Sequence, residues 1–292
     1  MQLSTPMNPI TAPPIFIGGS GRSGTTMVVD LLGLHPRLSP VYETDFLPGV
    51  LQMLSQRSHA SEIEAFLRAW SRRITDKPSA KRAHERYHHG PHHLRFSQAR
   101  MEAHAERMSA AVAAGRPGPA LREMVFDLFA EHCAADGKPR WLSKAPPYIV
   151  TLGALHQVFP QMRFIHCIRD GRDVACSVLT RKWGPTDVPT AARWWASRID
   201  RGRRFAARFP EQIHEVRYED LLQRPEETLA AALRFIGESP NDATHIVRRH
   251  RQTGMTFDAS RVGGWQSRLS ARDVAAFQAL AGAQLAALGY AA

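Results

Sequence analysis

Residues 15–26, IFIGGSGRSGTT, decide how this chain is built. The segment begins as an apolar run, turns through Gly18, Gly19, Gly21 and Gly24, and continues into a helical pattern. Glycine opens backbone conformations that other residues avoid, so successive amide groups can turn toward one point. The helix that follows adds the positive end of its dipole. This order predicts a strand, a phosphate-binding loop and a helix.

The predicted loop differs from the one that ATPases and P-loop kinases use. Gly19 and Gly24 have the Walker A spacing, but Thr25 follows where that motif requires lysine. The cation stands earlier, at Arg22. A kinase would also need an acidic residue that holds magnesium, and the sequence offers no clear candidate. From this segment alone, a kinase and an ordinary glycine turn both stay open.

The same loop carries a resemblance to a known family. It resembles the 5'-phosphosulfate loop of sulfotransferases that use 3'-phosphoadenosine-5'-phosphosulfate (PAPS), where Lys or Arg precedes Ser-Gly-Thr-Thr. The resemblance implies a sulfotransferase with PAPS as co-substrate. It also implies that the 5'-phosphosulfate contacts Gly21, Arg22, Ser23, Gly24, Thr25 and Thr26.

A second motif lies in residues 163–182, RFIHCIRDGRDVACSVLTRK. Its apolar run predicts a buried strand over 164–168, which Arg169 ends, and a helix after Asp173. In sulfotransferases an Arg and a Ser at this spacing hold the 3'-phosphate of PAPS, and the resemblance gives these roles to Arg169 and Ser177. A guanidinium suits a phosphate dianion. The alternative is an arginine that pairs with Asp170 or Asp173.

Residues 15–44 look particularly like the protein-tyrosine sulfotransferase branch, which implies that Glu43 is the catalytic base. A carboxylate can take the proton of an acceptor hydroxyl if the two lie within hydrogen-bond reach. The alternative is a carboxylate that serves a helix N-terminus or pairs with Arg37. Asp45 departs from the arginine common in that branch, which puts recognition of an acidic peptide in doubt.

The resemblance extends to four further positions. Lys144 matches the lysine that balances charge on the leaving 5'-phosphate, a task shared with Arg22. Tyr218 matches an adenine-contacting tyrosine, or else is a half-buried core ring. Arg261 and Gly263 match, more loosely, a basic glycine loop over the 3'-phosphate. The implied reaction is in-line transfer of a sulfuryl group, which releases 3',5'-adenosine bisphosphate.

The histidines of residues 84–93 suggest two other roles. His84 and His88 satisfy the zinc-protease pattern HExxH, but Gly90-Pro91 would end any helix one turn later. Because cytosolic sulfotransferases use a histidine base, a histidine here is the second candidate for that task, against a solvated loop. We predict no metal cofactor, since a sulfuryl group carries less charge than a terminal phosphoryl group.

The order of predicted elements gives the fold class. Strands near Ile15, near Trp141, at 164–168 and at 213–216 alternate with helices, which predicts an α/β, P-loop NTPase-like fold of three layers with a central parallel sheet. A helical insertion is expected over about 61–136, from a capping box at Ser61, and a last helix follows Ser270. We expect a flexible leader over 1–14 and a single domain over 15–292.

Composition sets the remaining bounds. The net charge of +11 suits a polyanionic partner, but the arginines are spread and show no nucleic-acid-binding signature, so no nucleic acid is expected. Three cysteines and no signal or membrane segment predict reduced thiols and a cytoplasmic enzyme without a membrane span. The expected partner carries an acceptor hydroxyl on a peptide tyrosine, carbohydrate, lipid or natural product, and a homodimer stays open.

Overall fold

The structure, a computed structural model, describes residues 12–75, 97–254 and 256–290. Five strands form a parallel sheet in the order β2-β3-β1-β4-β5. The strands are β1 Ile15–Gly19, β2 Leu38–Val41, β3 Arg140–Lys144, β4 Arg163–Ile168 and β5 Ile213–Arg217. β1 and β3 are buried along their whole length, as expected where helices cover both faces of a parallel sheet. The predicted α/β fold with a central parallel sheet is confirmed.

Twelve α-helices accompany the sheet in the described chain. They are α1 Thr25–Gly33, α2 Phe46–Ser55, α3 Ala60–Thr75, α4 Gln98–Ala113, α5 Pro117–Asp136, α6 Leu152–Val158, α7 Gly171–Val178, α8 Val188–Arg208, α9 Tyr218–Gln223, α10 Pro225–Ile236, α11 Asp242–Gln252 and α12 Ala271–Ala287. Short 3-10 turns span Pro146–Ile149, Pro210–Gln212, Ala259–Arg261 and Gly264–Ser267.

The chain divides into two compact units. Among the described residues, the first unit holds 12–16, 36–75, 97–145 and 153–162, and the second holds 17–35, 146–152, 163–254 and 256–290. The first therefore contains β2, β3 and the helices α2 to α5, while the second contains the glycine loop, β4, β5 and α7 to α12. The expected single domain over 15–292 stays a prediction.

The first unit is built on aromatic packing. The ring of Trp141 lies 5.0 Å from that of Phe129 and 5.5 Å from that of Phe16, in edge-on geometry. The expected helices of the insertion are present as α3, α4 and α5, but the capping box at Ser61 is wrong. α3 begins one residue earlier, and the amide of His59 donates to Glu62 Oε2 at 2.8 Å.

The second unit has its core between β4 and the helices α7, α8 and α12. Trp195 and Phe277 are fully buried there, with ring centroids 5.9 Å apart. The predicted cap of the last helix is confirmed, because the amide of Asp273 donates to Ser270 Oγ at 3.1 Å. α7 begins at Gly171 rather than after Asp173, since Asp170 already caps it.

Candidate functional site

The glycine loop joins β1 to α1 in the second unit, as predicted. Gly24 is the N-cap of α1, with φ of 86°, and within the described chain no side chain caps the helix there. Gly24 has no side chain with which to accept from the first amide groups of α1, and the N-terminus of a helix favours an anion. Thr25 is buried and Thr26 is half-buried at this end of the helix.

Gly21 and Gly24 each have aromatic side chains close to where a Cβ would stand. A Cβ on Gly24 would lie 2.5 Å from Cδ2 of Tyr218, and its left-handed backbone also disfavours other residues. A Cβ on Gly21 would lie 3.0 Å from the indole of Trp183 and 3.6 Å from that of Trp194. The loop thus packs against Tyr218 on one side and two indole rings on another.

Arg22 and Ser177 are in direct contact. Nε of Arg22 donates to Oγ of Ser177 at 2.9 Å, although the two residues are 155 positions apart. Arg22 has a φ of 73°, which costs energy for a residue with a side chain. The neighbouring hydroxyls of Ser20 and Ser23 are hydrogen-bonded to each other. The first predicted phosphate motif therefore meets the second through these side chains.

Arg169 lies at the centre of the second unit's predicted residues. Its guanidinium donates to the carbonyl of Arg261 at 2.7 Å and to that of Arg22 at 3.4 Å. It lies 4.4 Å from the ring centroid of Tyr218 and 3.7 Å from Oδ2 of Asp173. Nε of Arg169 is buried and forms no hydrogen bond among the described residues. The pairing with Asp173, which the sequence left open, exists beside these other contacts.

Asp173 contacts several of the predicted site residues, although the sequence indicates it only as an alternative ion-pair partner of Arg169. Its carboxylate is fully buried and accepts from the amide of Gly263 and the amide of Trp265, both at 2.9 Å. A side-chain nitrogen of Arg268 lies 3.4 Å from Oδ1. These bonds fix the loop that carries Arg261 and Gly263. The only sequence signal was an acidic residue in the first turn of a helix.

Arg261 differs from Arg169 in exposure. Its side chain is 67% exposed, and its Nε donates to Oδ2 of Asp258 at 3.2 Å. The hydrogen bond that Arg261 donates to Asp258, and then the electrostatic interaction with Tyr218, raise the pKa of Arg261 above its usual range. Gly263 has a φ of 73°, so a left-handed turn follows directly. This arginine can therefore reach a ligand while its backbone is held by Arg169 and Asp173.

A second buried carboxylate, that of Glu219, joins three segments of the second unit. It accepts from the amide of Asp170 at 2.9 Å and from the hydroxyl of Tyr290 at 2.9 Å. Burial raises the pKa of Glu219, and burial together with this carboxylate raises that of Tyr290. Asp170 in turn accepts two side-chain bonds from Arg172, at 3.0 and 2.8 Å. The residue beside Arg169 is thus anchored from α9 and from the C-terminal segment.

Glu43 and Lys144 form a pair in the first unit. Nζ of Lys144 donates to Oε1 of Glu43 at 2.5 Å, and the lysine side chain is 0% exposed while the glutamate is 34% exposed. The lysine ends β3, and its Nζ lies 5.9 Å from the ring centroid of Tyr42. Asp45, close behind the glutamate, has a φ of 63°. Two of the three residues to which the resemblance gives catalytic roles are therefore in contact.

The second candidate for the catalytic base, a histidine, cannot be compared with the structure. The histidines of 84–93 lie outside the described residues. Across 12–75, 97–254 and 256–290, no group of three or more His, Cys, Asp or Glu is arranged to hold a metal ion. None of the helices in these ranges is both long enough and apolar enough to cross a membrane.

Known proteins resemble this chain in sequence. The protein-tyrosine sulfotransferase of Drosophila melanogaster is 26% identical over 239 residues, which are 79% of this chain and 39% of that protein. Protein-tyrosine sulfotransferase 2 of Gallus gallus is 26% identical over 245 residues, which are 79% of this chain and 52% of the relative. The chain thus spans about half or less of the length of these two relatives.

Solved structures share the fold. The sulfotransferase domain of the Synechococcus PCC 7002 olefin synthase aligns with a TM-score of 0.57 at 17% identity, over 94% of this chain and 98% of the domain. The sulfotransferase domain from the curacin biosynthetic pathway also gives 0.57, at 18% identity, over 96% of this chain and 98% of the domain. The sequence profile of the sulfotransferase family matches residues 13–242, a stretch that includes the glycine loop, Glu43, Lys144 and Arg169. The chain therefore belongs to the sulfotransferase family.

Proposed function

We propose that this protein transfers a sulfuryl group from PAPS to an acceptor hydroxyl and releases 3',5'-adenosine bisphosphate. The observation that carries the proposal is the contact of residues from separate segments in the second unit. Arg22 meets Ser177, and Arg169 meets the carbonyls of Arg22 and Arg261. A helix N-terminus without a side-chain cap lies in the same loop as Arg22.

The residues of the second unit fit a ligand with two phosphate positions. The N-terminus of α1, which begins directly after the left-handed Gly24, suits the 5'-phosphosulfate. Arg169, Ser177 and the loop of Gly263 suit the 3'-phosphate, which distinguishes PAPS from ATP, because a planar guanidinium binds phosphate oxygens in pairs. Tyr218 offers a ring to the adenine, as the family resemblance implies.

PAPS supplies an activated sulfuryl group, whose bond to the 5'-phosphate oxygen breaks as the bond to the acceptor oxygen forms. Glu43 takes the acceptor proton through its carboxylate. Lys144 and Arg22 offset the negative charge that gathers on the leaving phosphate. These three roles rest on the family resemblance, and the direct bond from Lys144 to Glu43 supports a shared site for the base and one of the cations.

The names of the relatives point to one class of acceptor, whereas the donor chemistry would serve several. The two relatives are named protein-tyrosine sulfotransferases, so a peptidyl tyrosine is the first acceptor to test. Carbohydrate, lipid and natural-product hydroxyls could use the same donor residues. The cytoplasmic location and the homodimer stay predictions.

Donor recognition can be tested by calorimetric titration with 3',5'-adenosine bisphosphate, 5'-AMP and ATP with magnesium. We expect the bisphosphate to bind more tightly than either competitor. Arg169→Ala should lower bisphosphate affinity about 10- to 100-fold, since it removes a charged hydrogen-bonding group. Ser177→Ala should cost less, about three- to tenfold. Equal binding of 5'-AMP, or a preference for ATP with magnesium, would contradict the proposal.

A matched control separates ligand contact from loss of an arginine in general. Arg248 is exposed on α11 and bonds only to His245 among the described residues. Arg248→Ala should bind the bisphosphate like the wild type. Turnover is then measured with sulfur-labelled PAPS and a panel of a tyrosine peptide, an oligosaccharide, a long-chain alcohol and a simple phenol. Glu43→Gln should lose the label transfer and keep bisphosphate binding.

A further inference from the structure

Helix α8 presents a basic stripe to solvent. Apart from Ala207, its exposed positions recur every three or four residues and so lie along one face of the helix. They are Thr190, Arg193, Ser197, Arg201, Arg204 and Arg208. Arg201, Arg204 and Arg208 form no ion pair with any described residue. Asp200, on the flank of the stripe, is bonded instead to Gln284 at 3.1 Å. The stripe therefore carries positive charge that the described chain does not neutralise.

Arg198 adds to this charge at the edge of the stripe. Its guanidinium lies 3.9 Å from the ring centroid of Trp194 and donates to the carbonyl of that residue at 2.7 Å. Burial, and then repulsion from Arg201, lowers the pKa of Arg198 to about 10. An anion from outside the chain would relieve this repulsion.

Exposed apolar side chains lie on the same surface. Trp183 is 62% exposed and Val150 is 39% exposed, which makes them two of the three large apolar side chains in the described chain that face solvent. Arg201 donates to the carbonyl of Val150 at 3.3 Å, and the indoles of Trp183 and Trp194 both reach Gly21. We call this set the α8 surface: Trp183, Trp194, Val150, Arg193, Arg198, Arg201, Arg204 and Arg208.

We propose that the α8 surface docks the protein on a bilayer that contains anionic lipids. A bilayer interface offers what this surface needs, because indole rings favour the headgroup level and arginine stems lie along apolar surface while their heads meet phosphate. A nucleic-acid backbone or an acidic peptide would neutralise the arginines but leave Trp183 and Val150 without an apolar partner. This docking does not depend on the proposed donor chemistry.

Vesicle sedimentation of the full chain tests the proposal. We expect it to partition onto vesicles of phosphatidylcholine mixed with phosphatidylglycerol and not onto phosphatidylcholine alone, with weaker binding as salt rises. Arg201→Gln with Arg204→Gln should weaken partitioning roughly 30-fold. The control is Arg248→Gln with Arg251→Gln on α11, where both arginines are exposed and the same charge is lost. That control should bind like the wild type.

A second readout follows the indole. Tryptophan emission of the wild type should shift to shorter wavelength on anionic vesicles, and Trp183→Phe should lose most of that shift without a change of charge. Circular dichroism checks that each variant is folded, and Arg193→Gln with Arg208→Gln replaces the first pair if that pair unfolds. The proposal is overturned by equal weakening in the α11 control, by unchanged emission on vesicles, or by retention on RNA or polyglutamate without partitioning onto vesicles.

Discussion

A single buried carboxylate, that of Asp173, holds the backbone of the Gly263 loop through two amide bonds of 2.9 Å. In Asp173→Asn, one oxygen becomes an NH2 group that faces an amide donor, so at least one of the two bonds is lost. We expect bisphosphate affinity to fall about tenfold and the free energy of unfolding to fall by about 1–3 kcal/mol. Calorimetric titration and denaturant unfolding measure the two effects.

The matched control for this variant lies in the same loop. Asp258 pairs with Arg261 at 3.2 Å, but both side chains face solvent. Asp258→Asn should therefore leave the unfolding free energy close to that of the wild type. If the two variants behave alike, Asp173 acts as an ordinary surface charge and its positioning role is wrong.

Two features favour glycine at position 24, the left-handed backbone and the close approach of Tyr218, and a comparison with Gly237 separates them. Gly24 and Gly237 have similar left-handed backbones, with φ of 86° and 80°. A Cβ on Gly237 would meet no described atom within 4 Å, whereas one on Gly24 would lie 2.5 Å from Tyr218. Gly237→Ala should cost about 1 kcal/mol in unfolding free energy, and Gly24→Ala at least twice that. Thermal unfolding of both variants measures the difference. Equal losses of unfolding free energy would show that the Tyr218 ring moves aside at no cost.

From the sequence, individual positions could be singled out where they match a family motif. Arg22, Arg169 and Ser177 were singled out because they match sulfotransferase motifs, and the structure brings the three into one neighbourhood. Asp173 and Glu219 were not singled out, because their partners lie 90 and 71 residues away, at Gly263 and Tyr290. Spacing carries no information about such contacts, which only the fold creates.

At the scale of elements, α9 is tied to the start of α7 and to the segment after α12 by Glu219. Tyr290→Phe removes the hydroxyl that donates to this buried carboxylate, at a cost of about 1–3 kcal/mol in unfolding free energy. Glu219→Gln in the same chain should recover part of that loss, because a neutral amide is less costly to bury without a donor. Denaturant unfolding of the two single variants and the double variant gives the coupling. If the two losses of unfolding free energy simply add, then Tyr290 and Glu219 do not interact energetically, and the proposed link between α9 and the segment after α12 is wrong.

Element prediction succeeded where an apolar run ended in a clear break. β1, β4 and α12 fall where the sequence indicated them. β2 was missed because it has only four residues and contains Pro40, which a strand tolerates at the edge of a sheet. Ser61 failed as a cap because Glu62 bonds back to the amide of His59, which starts α3 one residue before the expected box.

At the scale of the whole molecule, stability should depend on pH through a buried histidine. His166 on β4 is 0% exposed, and its ring nitrogens form no hydrogen bond within the described chain. Burial, with the charge of Arg203, lowers the pKa of His166 to about 3, although Glu215 Oε1 lies 3.9 Å from Nδ1. The ring packs directly against Gly202 of α8, where an added Cβ would lie 2.4 Å from Nδ1 of His166.

The direction of this pH dependence follows from proton uptake by the unfolded chain. Below the ordinary histidine pKa of about 6.5, His166 binds a proton in the unfolded chain but not in the folded chain. Its contribution to the unfolding free energy is therefore fully present above pH 6.5 and is lost as the pH falls toward 3. The loss from this one residue is on the order of 5 kcal/mol. His214 and His250, whose pKa values burial also lowers, act in the same direction.

His166→Phe isolates this contribution, since a ring of similar size fills the site and does not titrate. Denaturant unfolding between about pH 7 and pH 4 should show a shallower fall of unfolding free energy in His166→Phe than in the wild type. The raised pKa of Glu219, which acts in the opposite direction, is present in both proteins and cancels in the comparison. Parallel curves would mean that His166 becomes protonated in the folded chain as it does in the unfolded chain. Glu215 is then the carboxylate that would pair with the charged ring.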